Sequence, residues 1–298
     1  MRKIIILVVS LFLLLLSVSC IVTIKVYHDV EEVATSVYNE NSELKGSSNN
    51  LNSNKPFSIL LLGIDTGNYG RVDKGRSDTI MVGTVNPKTQ KTTIISIPRD
   101  AYVEIVGQHI WDKINHSYAF GGISMTVNTI NKLLGIQLNY YVSVNMKGLE
   151  DLVDVLGGIK INNQISFTQN GCTFKKGTIT LNGKESLAYS RMRYADPEGD
   201  YGRQKRQRLV VEAILNKLLN ISTIFSYTDL LSIGKNNIET NITFKEMKKV
   251  LTDCNMCLSN VGTEQLKGVD ITEGGISYQK IQEEELLRIR QVLQKELQ

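Results

Sequence analysis

The residues best suited to chemistry lie between Tyr189 and Arg208. This block holds five arginines, one lysine and two glutamines, and the acidic, turn-prone segment Asp196–Asp200 interrupts it. A guanidinium presents a planar fork of N–H donors that matches phosphate oxygens two at a time. The block therefore predicts a pocket for a ligand that carries several phosphate charges.

Spacing within the block indicates which side chains share a direction. Arg191 and Arg193 are two positions apart, so they point the same way if the segment is extended. Arg203 and Gln207 are four positions apart and share one face at the start of a helix predicted over 204–219. The first turn of a helix adds unpaired N–H groups and a partial positive charge, and both favour an anion.

A solvated, salt-bridged helix start is the alternative interpretation of the block, with Asp196, Glu198 and Asp200 as partners. Six basic residues against three acidic ones leave an excess of three positive charges, which this alternative does not explain. We therefore also place Arg206, which lies beside the same helix face, in the predicted pocket. Arg208 is assigned to the solvent.

A second set of charged residues lies at the ends of three consecutive predicted strands. Asp65 follows the first strand, Arg76 and Asp78 precede the second, and Arg99 and Asp100 follow the third. An acidic or basic residue at one strand end is often a solvated cap. Loops at strand ends are nevertheless where α/β sheets collect ligands, so we expect these side chains to converge on a site.

The elements that must position these residues alternate between strands and helices. Strands are predicted over 57–63, 79–85, 92–97, 101–106, 140–144 and 159–161. Helices are predicted over 121–134, 146–156, 184–190, 204–219, 244–257 and 281–297. Strands interleaved with helices predict an α/β fold, an α-β-α sandwich with helices on both faces of a central mixed sheet.

Bulk charge and missing motifs exclude several classes of protein. The net charge is +4, but Arg2, Lys3 and Lys25 supply three of these charges, so the rest of the chain is nearly neutral and does not predict a nucleic-acid binder. The sequence has no Walker loop, no Gly-x-Ser-x-Gly and no His-Glu-x-x-His motif. With three histidines in the chain, a histidine-based triad is not expected, and His116 is interpreted as a structural residue.

An uncharged apolar stretch near the N-terminus predicts a membrane anchor. Ile4–Ile24 contains no charged residue, and a helix of this length matches the roughly 30 Å hydrocarbon core of a bilayer. Arg2 and Lys3 precede the stretch, which keeps the N-terminus in the cytoplasm and sends the rest of the chain outside. A cleaved signal peptide is the alternative, and it also places the folded domain outside the cytoplasmic membrane.

The chain therefore divides into four predicted parts along its length. They are a cytoplasmic N-terminus at 1–3, a transmembrane anchor at 4–24, a juxtamembrane segment and Ser/Asn-rich linker at 25–55, and an extracytoplasmic domain at 56–298.

The cysteines indicate less about function than the charged residues do. Cys254 and Cys257 could form a redox pair, half of a metal site or a short disulfide, and Cys172 has no assignable partner. No second pair completes a zinc site, and the pair ends a predicted helix rather than beginning one. We therefore interpret these cysteines as structural or incidental.

Six groups of residues, in order from about Phe57 to Leu219, together resemble the LytR-CpsA-Psr family. The groups are Leu62-Gly-Ile-Asp65; Arg76-Ser-Asp-Thr79; Ser96-Ile-Pro-Arg-Asp100; Lys113-Ile-Asn115 with Gly121-Gly122; Val153-Asp-x-Leu-Gly-Gly158; and Arg191-x-Arg193 with Arg203-x-x-x-Gln207.

This resemblance implies a membrane-anchored enzyme that moves an anionic glycopolymer from an undecaprenyl-pyrophosphate carrier to peptidoglycan. The polymer would be a wall teichoic acid or a capsular polysaccharide. Mg²⁺, or Mn²⁺ in its place, would rest on Asp65 and Asp78, and a long apolar pocket would take the lipid chain. The buried strands and Gly121–Leu134 could line that pocket, although apolar residues at these spacings are by default ordinary core. Asp78, Arg99 and Asp100 would act in catalysis, with Asp78 or Asp100, by position only, as candidates for the base that the acceptor hydroxyl needs. The pyrophosphate would be held by Arg76, Arg99, Arg191, Arg193, Arg203, Arg206 and Gln207.

Two other functions remain open at the level of the sequence. One is a non-catalytic, membrane-attached protein that binds or regulates wall polymers, and the other is a polyprenyl-pyrophosphate phosphatase that uses water as the acceptor. The pair Asp65 and Asp78 favours an enzyme, because a binding module needs arginines but no metal.

Overall fold

The computed structural model of the chain describes residues 31, 35, 38, 39, 54–66, 75–219 and 237–298. The predicted anchor at 4–24 and most of the predicted linker at 25–55 lie outside these residues, so both stay predictions. Within the described part of the chain, no helix is long and apolar enough to cross a membrane.

Strands alternate with helices along the described chain. The strands are β1 Phe57–Ile64, β2 Ser77–Asn86, β3 Lys91–Ser96, β4 Tyr102–Ile105, β5 Ile110–Lys113, β6 Tyr140–Asn145, β7 Ile159–Asn163, β8 Phe167–Gln169, β9 Cys172–Phe174, β10 Gly177–Leu181, β11 Ile238–Thr240, β12 Val261–Gln265, β13 Gly268–Glu273 and β14 Ile276–Ile281. The helices are α1 His116–Leu134, α2 Met146–Val155, α3 Gly183–Arg191, α4 Gly199–Leu219, α5 Phe244–Asp253, α6 Asn255–Ser259 and α7 Glu283–Glu296.

A mixed sheet forms the centre of the fold. Its strand order is β11-β6-β1-β2-β3-β12 among the described residues. Strand β1 runs parallel to β6, and β3 runs parallel to β12, whereas the other neighbours are antiparallel. The central mixed sheet is therefore confirmed. Separate two-stranded ribbons join β4 to β5, β7 to β10, β8 to β9 and β13 to β14.

One face of the sheet is closely packed. Alternate residues of β1, namely Leu60, Leu62 and Ile64, are buried in a core that also holds Ile130 of α1 and Ile289 of α7. This alternation follows from the two-residue period of a strand, which sends every second side chain to the same face.

The opposite face is only partly covered. Ile59, Leu61, Val142 and Val144 point to this side and remain half-buried, although all four are aliphatic. Helices α2, α3 and α4 lie over this face and share a separate core with the small ribbons β7–β10 and β8–β9. The helical layer therefore has its own packing and leaves space between itself and the sheet.

Several element boundaries differ from the sequence prediction. Helix α4 begins at Gly199 rather than at 204. The backbone carbonyls of Asp196 and Glu198 accept hydrogen bonds from the N–H groups of Gly199 and Tyr201 in its first turn. The predicted helix over 244–257 is divided at Cys254, whose backbone leaves the helical conformation between α5 and α6. The short strands after residue 260 are absent from the prediction, since their alternation of polar and apolar residues is weak.

The cysteines contribute to packing. Cys254 and Cys257 are buried in a small core beneath α5, and Cys172 is half-buried. All three are free thiols, and burial raises the pKa of Cys254 to about 12. A thiol with such a pKa stays protonated and unreactive at neutral pH. This arrangement supports the interpretation of the pair as structural.

Candidate active site

A cavity of about 970 Å³ separates the half-covered face of the sheet from helices α2 to α4. Most of its wall is aliphatic and comes from both layers. The apolar lining residues are Ile59, Leu61, Leu62, Ile64, Met81, Val142, Val144, Met146, Leu149, Leu152, Leu187, Val210, Val211, Ile214, Leu215, Leu218 and Ile276.

The two ends of the cavity differ in character. Near one end, Phe57 and Tyr140 form an edge-to-face ring pair within the core beneath α5. At the other end, β1 and β2 carry Asp65 and Asp78. Of the segments considered for the pocket wall, strands β1, β2 and β6 line the cavity, whereas Gly121–Leu134 belongs to the core on the opposite face of the sheet.

Charged side chains surround the end of the cavity that holds Asp65 and Asp78, which we call the mouth. Five cations and three carboxylates line it, which leaves an excess of two positive charges. These residues are Arg76, Arg99, Lys113, Arg191, Arg203, Asp65, Asp78 and Asp100. The strand-end charges and part of the arginine block therefore meet at one place.

The pairing of β1 with β2 brings Asp65, Arg76 and Asp78 together. The register shifts between Gly63 and Ile64, so the two strands pair irregularly at this point. The N–H of Asp65 donates to the carbonyl of Arg76 over 3.0 Å, and the N–H of Asp78 donates to the same oxygen over 3.1 Å. One carbonyl thus fixes the backbone of both acidic residues.

Ion pairs link the acidic residues to the next strand end. Arg99 Nη1 lies 2.8 Å from Asp78 Oδ2, and Arg99 Nε lies 3.5 Å from Asp100 Oδ2. Lys113 Nζ lies 2.8 Å from Asp100 Oδ1. Burial alone would raise the pKa of Asp100, but the hydrogen bond from Lys113 and the charge of Arg99 outweigh it and hold that pKa below its usual value.

Arg203 is a buried cation at the mouth. Its Nη2 lies 2.6 Å from Asp200 Oδ1, and its Nε has no hydrogen-bond partner among the described residues. Burial lowers the pKa of Arg203 despite the charge of Asp200, and the nearby cations Arg99 and Arg193 lower it further. An anion bound in the mouth would relieve this repulsion and pair the remaining donor.

The other pyrophosphate-binding candidates differ in position. Arg191 lines the mouth with its Nη1 4.0 Å from Asp65 Oδ1, and Gln207 lines the adjoining wall. Arg193 is 40% exposed, lies 3.8 Å from Asp200 Oδ1 and does not line the cavity. The extended segment expected for Arg191 and Arg193 is not observed, because Arg191 is the last residue of α3.

Arg206 lies behind the mouth rather than in it. Its guanidinium is buried, pairs with Asp196, donates to the carbonyl of Met192 and lies 5.5 Å from the ring of Phe167. All of these groups hold the loop between α3 and α4 in place. The contacts contradict the placement of Arg206 in the pocket and match the salt-bridged alternative for this one residue.

The assignment of Arg208 to the solvent is also wrong. Arg208 is 7% exposed, and its Nη1 donates to Ser96 Oγ at the end of β3 over 2.7 Å. Because α4 begins at Gly199, Arg203 lies in the second turn rather than at the helix start. The expected help from the helix N-terminus therefore does not apply to Arg203.

His116 is a site residue that the sequence interpretation discounted. It lines the cavity, and its Nδ1 lies 2.7 Å from Asp112 Oδ2. A carboxylate on one ring nitrogen orients an imidazole and leaves the other nitrogen for chemistry. The four-residue separation of Asp112 and His116 is a signal in the sequence, but it becomes informative only once β5 and α1 are adjacent.

The donors at the mouth fit a hard cation such as Mg²⁺. The described residues contain no group of three or more His, Cys, Asp or Glu side chains arranged for a metal ion. Mg²⁺ nevertheless needs only one or two carboxylates, since waters and phosphate oxygens complete its shell. Asp65 and Asp78 would supply the carboxylates, and the buried Oδ1 of Asn115, beside Asp78, has no partner among the described residues.

Comparisons with known proteins agree on one family. The model of the LytR_cpsA_psr family matches residues 21–295. A curated relative from Enterococcus faecalis, named polyisoprenyl-teichoic acid–peptidoglycan teichoic acid transferase TagU, is 46% identical over 92% of this chain and 90% of its own.

Solved structures show the same fold. The crystal structure of Bacillus subtilis TagU is 44% identical, covers 82% of this chain and 97% of its own, and has a TM-score of 0.67. A structure described as TagT bound to LIIa-WTA is 34% identical, covers 82% of this chain and 91% of its own, and has a TM-score of 0.69.

The position of Arg206 generates a prediction about stability. Arg206→Ala leaves the carboxylate of Asp196, which is 6% exposed, without its cation. An uncompensated buried charge should lower the free energy of unfolding by roughly 3–5 kcal/mol in urea denaturation. The matched control Arg193→Ala removes a more exposed guanidinium and should cost less than about 1 kcal/mol. A stable Arg206→Ala protein that no longer binds a pyrophosphate ligand would return Arg206 to the pocket.

Proposed function

The chain belongs to the LytR_cpsA_psr family, and we propose that it transfers an anionic glycopolymer from a polyprenyl-pyrophosphate carrier to peptidoglycan. It is an enzyme of the phosphotransferase class, like its named relatives. Those relatives favour a teichoic acid as the polymer. The undecaprenyl length of the carrier, the Mg²⁺ requirement and a single-pass anchor at 4–24 in the cell membrane are further parts of the proposal.

The observation that carries this proposal is an apolar cavity with a group of cations at one end. The aliphatic floor extends along β1 from Ile59 to Asp65, a distance of roughly 20 Å at the rise of a strand. A lipid pyrophosphate has the same two parts, a long hydrocarbon chain and a compact polyanion. Half-buried aliphatic side chains on a sheet face are costly in water, and a bound hydrocarbon chain would cover them.

The residues in and beside the mouth have three proposed roles: binding the pyrophosphate, contacting the polymer and holding the metal. Arg203, Arg191 and Arg76 hold the pyrophosphate, and Gln207 donates from the helix wall. Arg99 joins them and keeps the carboxylate of Asp78 oriented through their ion pair. Arg193 contacts the polymer side of the ligand from its exposed position. Mg²⁺ on Asp65 and Asp78 would neutralise charge that develops on the phosphate oxygens.

The proposed reaction breaks the phosphoanhydride bond of the carrier and forms a phosphodiester between the polymer and the acceptor. The acceptor hydroxyl oxygen bonds to the phosphorus that carries the polymer, the bond from that phosphorus to the bridging oxygen breaks, and polyprenyl phosphate leaves. The hydroxyl proton must pass to a base. His116, oriented by Asp112, is the candidate that the geometry favours, since Asp78 and Asp100 are already held by cations.

The alternatives make different use of the same mouth. A phosphatase would transfer the group to water, and a binding or regulatory protein would bind the lipid without turnover. A binding protein has no use for an imidazole that a carboxylate orients beside a group of cations. A phosphatase would use the same imidazole to activate water, so it is the named transferase relatives that favour a transferase over a phosphatase.

The first prediction tests the activity itself. The full chain in detergent, given lipid-pyrophosphate-linked teichoic acid, Mg²⁺ and peptidoglycan, should form a covalent polymer–peptidoglycan conjugate. Asp78→Asn should reduce conjugate formation by at least about a hundredfold, because it removes a carboxylate for the metal and the partner of Arg99. The control Asp151→Asn changes a carboxylate paired with Lys147 on α2 and should keep full activity.

The outcomes of this assay separate the three functions. Release of polymer phosphate and polyprenyl phosphate without conjugate identifies a phosphatase. Saturable lipid binding without turnover, with or without Mg²⁺, identifies a binding protein and contradicts the proposed enzyme.

The second prediction concerns the length of the lipid. Val211→Trp places a bulky ring in the cavity wall of α4. The affinity for undecaprenyl pyrophosphate should fall by roughly tenfold or more, whereas the affinity for geranyl pyrophosphate should change little. Val292→Trp on α7, which packs on the opposite face of the sheet, is the matched control and should preserve both affinities. Equal losses for both lipids would place the long chain elsewhere.

The third prediction concerns the base. His116→Gln should lower kcat by about 10²–10⁴-fold and leave the affinity for the lipid pyrophosphate unchanged, because it removes the proton acceptor and keeps the arginines of the mouth. Asp112→Asn should have a smaller effect in the same direction. His109→Asn alters an exposed histidine with positive φ, a conformation that asparagine tolerates, and should have no effect. Normal turnover by His116→Gln would return the role of base to Asp78 or Asp100.

A further inference from the structure

Three aromatic side chains form a continuous row beside the mouth, which we call the aromatic ladder. Trp111, Tyr102 and Tyr278 follow one another, with ring centroids 5.4 Å apart for Trp111 and Tyr102 and 4.7 Å apart for Tyr102 and Tyr278. Trp111 at the outer end is 59% exposed, whereas Tyr278 at the inner end is 7% exposed. A large exposed indole supported by two further rings is unusual on a soluble surface.

The β4–β5 ribbon explains why this row faces outward. In its register, Tyr102 lies opposite Lys113, and Glu104 lies opposite Trp111, so these four side chains share one face. The alternate residues Val103 and Ile105 are buried in the main core. The ribbon is therefore fixed from below, and its aromatic face is held rigidly towards the solvent.

The inner end of the ladder joins the catalytic mouth. Lys113 Nζ lies 5.6 Å from the centroid of Tyr278 and 2.8 Å from Asp100 Oδ1. The N–H of Gln279, which follows Tyr278, donates to the carbonyl of Asp100 over 2.8 Å. Since Lys113 and Asp100 both line the mouth, a ligand lying on the ladder would extend to the place where the pyrophosphate binds.

We propose that the aromatic ladder binds the glycan strand of the acceptor, a chain of N-acetylated amino sugars, and leads one of its hydroxyl groups to the mouth. This inference rests on the proposed function, in which the lipid of the donor fills the cavity and the acceptor must approach over the outer surface. The flat C–H face of a pyranose ring packs against an aromatic face, while its hydroxyl and acetamido groups need polar partners.

Those polar partners alternate with the rings of the ladder. Glu104, held by Lys132 over 2.6 Å, lies opposite Trp111, and Lys113 lies opposite Tyr102. Carboxylates and ammonium groups beside aromatic faces suit a hydroxyl-rich ligand. Both lysines on this face are already paired, Lys132 with Glu104 and Lys113 with Asp100, so the face lacks the excess of cations that an anionic lipid surface needs, and a glycan fits it better than a membrane does.

The chain contains a single tryptophan, so the fluorescence of Trp111 reports on this surface alone. Titration of the full chain in detergent with peptide-free glycan strands, or with N-acetylglucosamine oligomers, should change the emission of Trp111 saturably. Trp111→Ala should weaken glycan binding, measured by calorimetry, by roughly tenfold, the size expected for one stacked ring. Trp111→Tyr should keep most of the affinity.

Three further measurements make the assignment specific. In the conjugation assay, Trp111→Ala should raise the KM for the acceptor and leave kcat and the affinity for the lipid pyrophosphate near normal. Met256→Ala, which removes a similarly exposed side chain from α6, is the matched control and should change neither. If the protein proves not to transfer polymer, glycan binding can still be measured, so the two failures are distinguishable.

Two outcomes would overturn the proposal. One is an emission of Trp111 that does not respond to glycan together with an unchanged affinity in Trp111→Ala. The other is a blue shift of the emission on phosphatidylglycerol vesicles without any response to glycan, which would identify the ladder as a membrane-contacting surface.

Discussion

The other features of the structure follow from one electrostatic requirement. The buried charges at the mouth must be compensated by other charges, because little water reaches them. Arg203 is buried, and its pKa is lowered because removal from water disfavours its charge. Asp200 and Asp78 offset part of that cost, yet the mouth keeps more cations than carboxylates. The site is therefore preorganised for a polyanion, since the donors are already fixed and need little rearrangement when the ligand arrives.

The cavity beside the mouth requires that one face of the sheet be incompletely packed. One face, with Leu60 and Leu62, is closed by α1 and α7, whereas the face with Ile59 and Leu61 remains half-covered. An exposed aliphatic face reduces the free energy of unfolding, and the fold tolerates it because the helical layer over the cavity has its own core around Val153. The cavity thus lies between a sheet and a helical layer that each have a core of their own and that meet beside it, for example where Arg208 of α4 donates to Ser96 of β3.

Particular residues show how far sequence reasoning extends. The strand-end residues Asp65, Asp78 and Arg99 do converge, because neighbouring strands bring their ends to one edge of the sheet. Within the arginine block, the sequence could not separate Arg203, which faces the mouth, from Arg206 and Arg208, which are buried in other contacts. Side chains on one helix differ in the direction in which they leave its axis. The groups that each of them meets come from segments distant in the sequence.

The sequence by itself determined the family and the alternation of strands and helices, and it predicted a ligand with several phosphate charges, since these depend on local patterns and on the number of guanidinium groups. Tertiary structure decided which charges face one another and where space is left. The orientation of His116 by Asp112, the burial of Arg208 against Ser96 and the open face of the sheet all arise from contacts between elements. Such contacts depend on how the layers pack against each other, and a local pattern of residues does not encode the spacing between two layers.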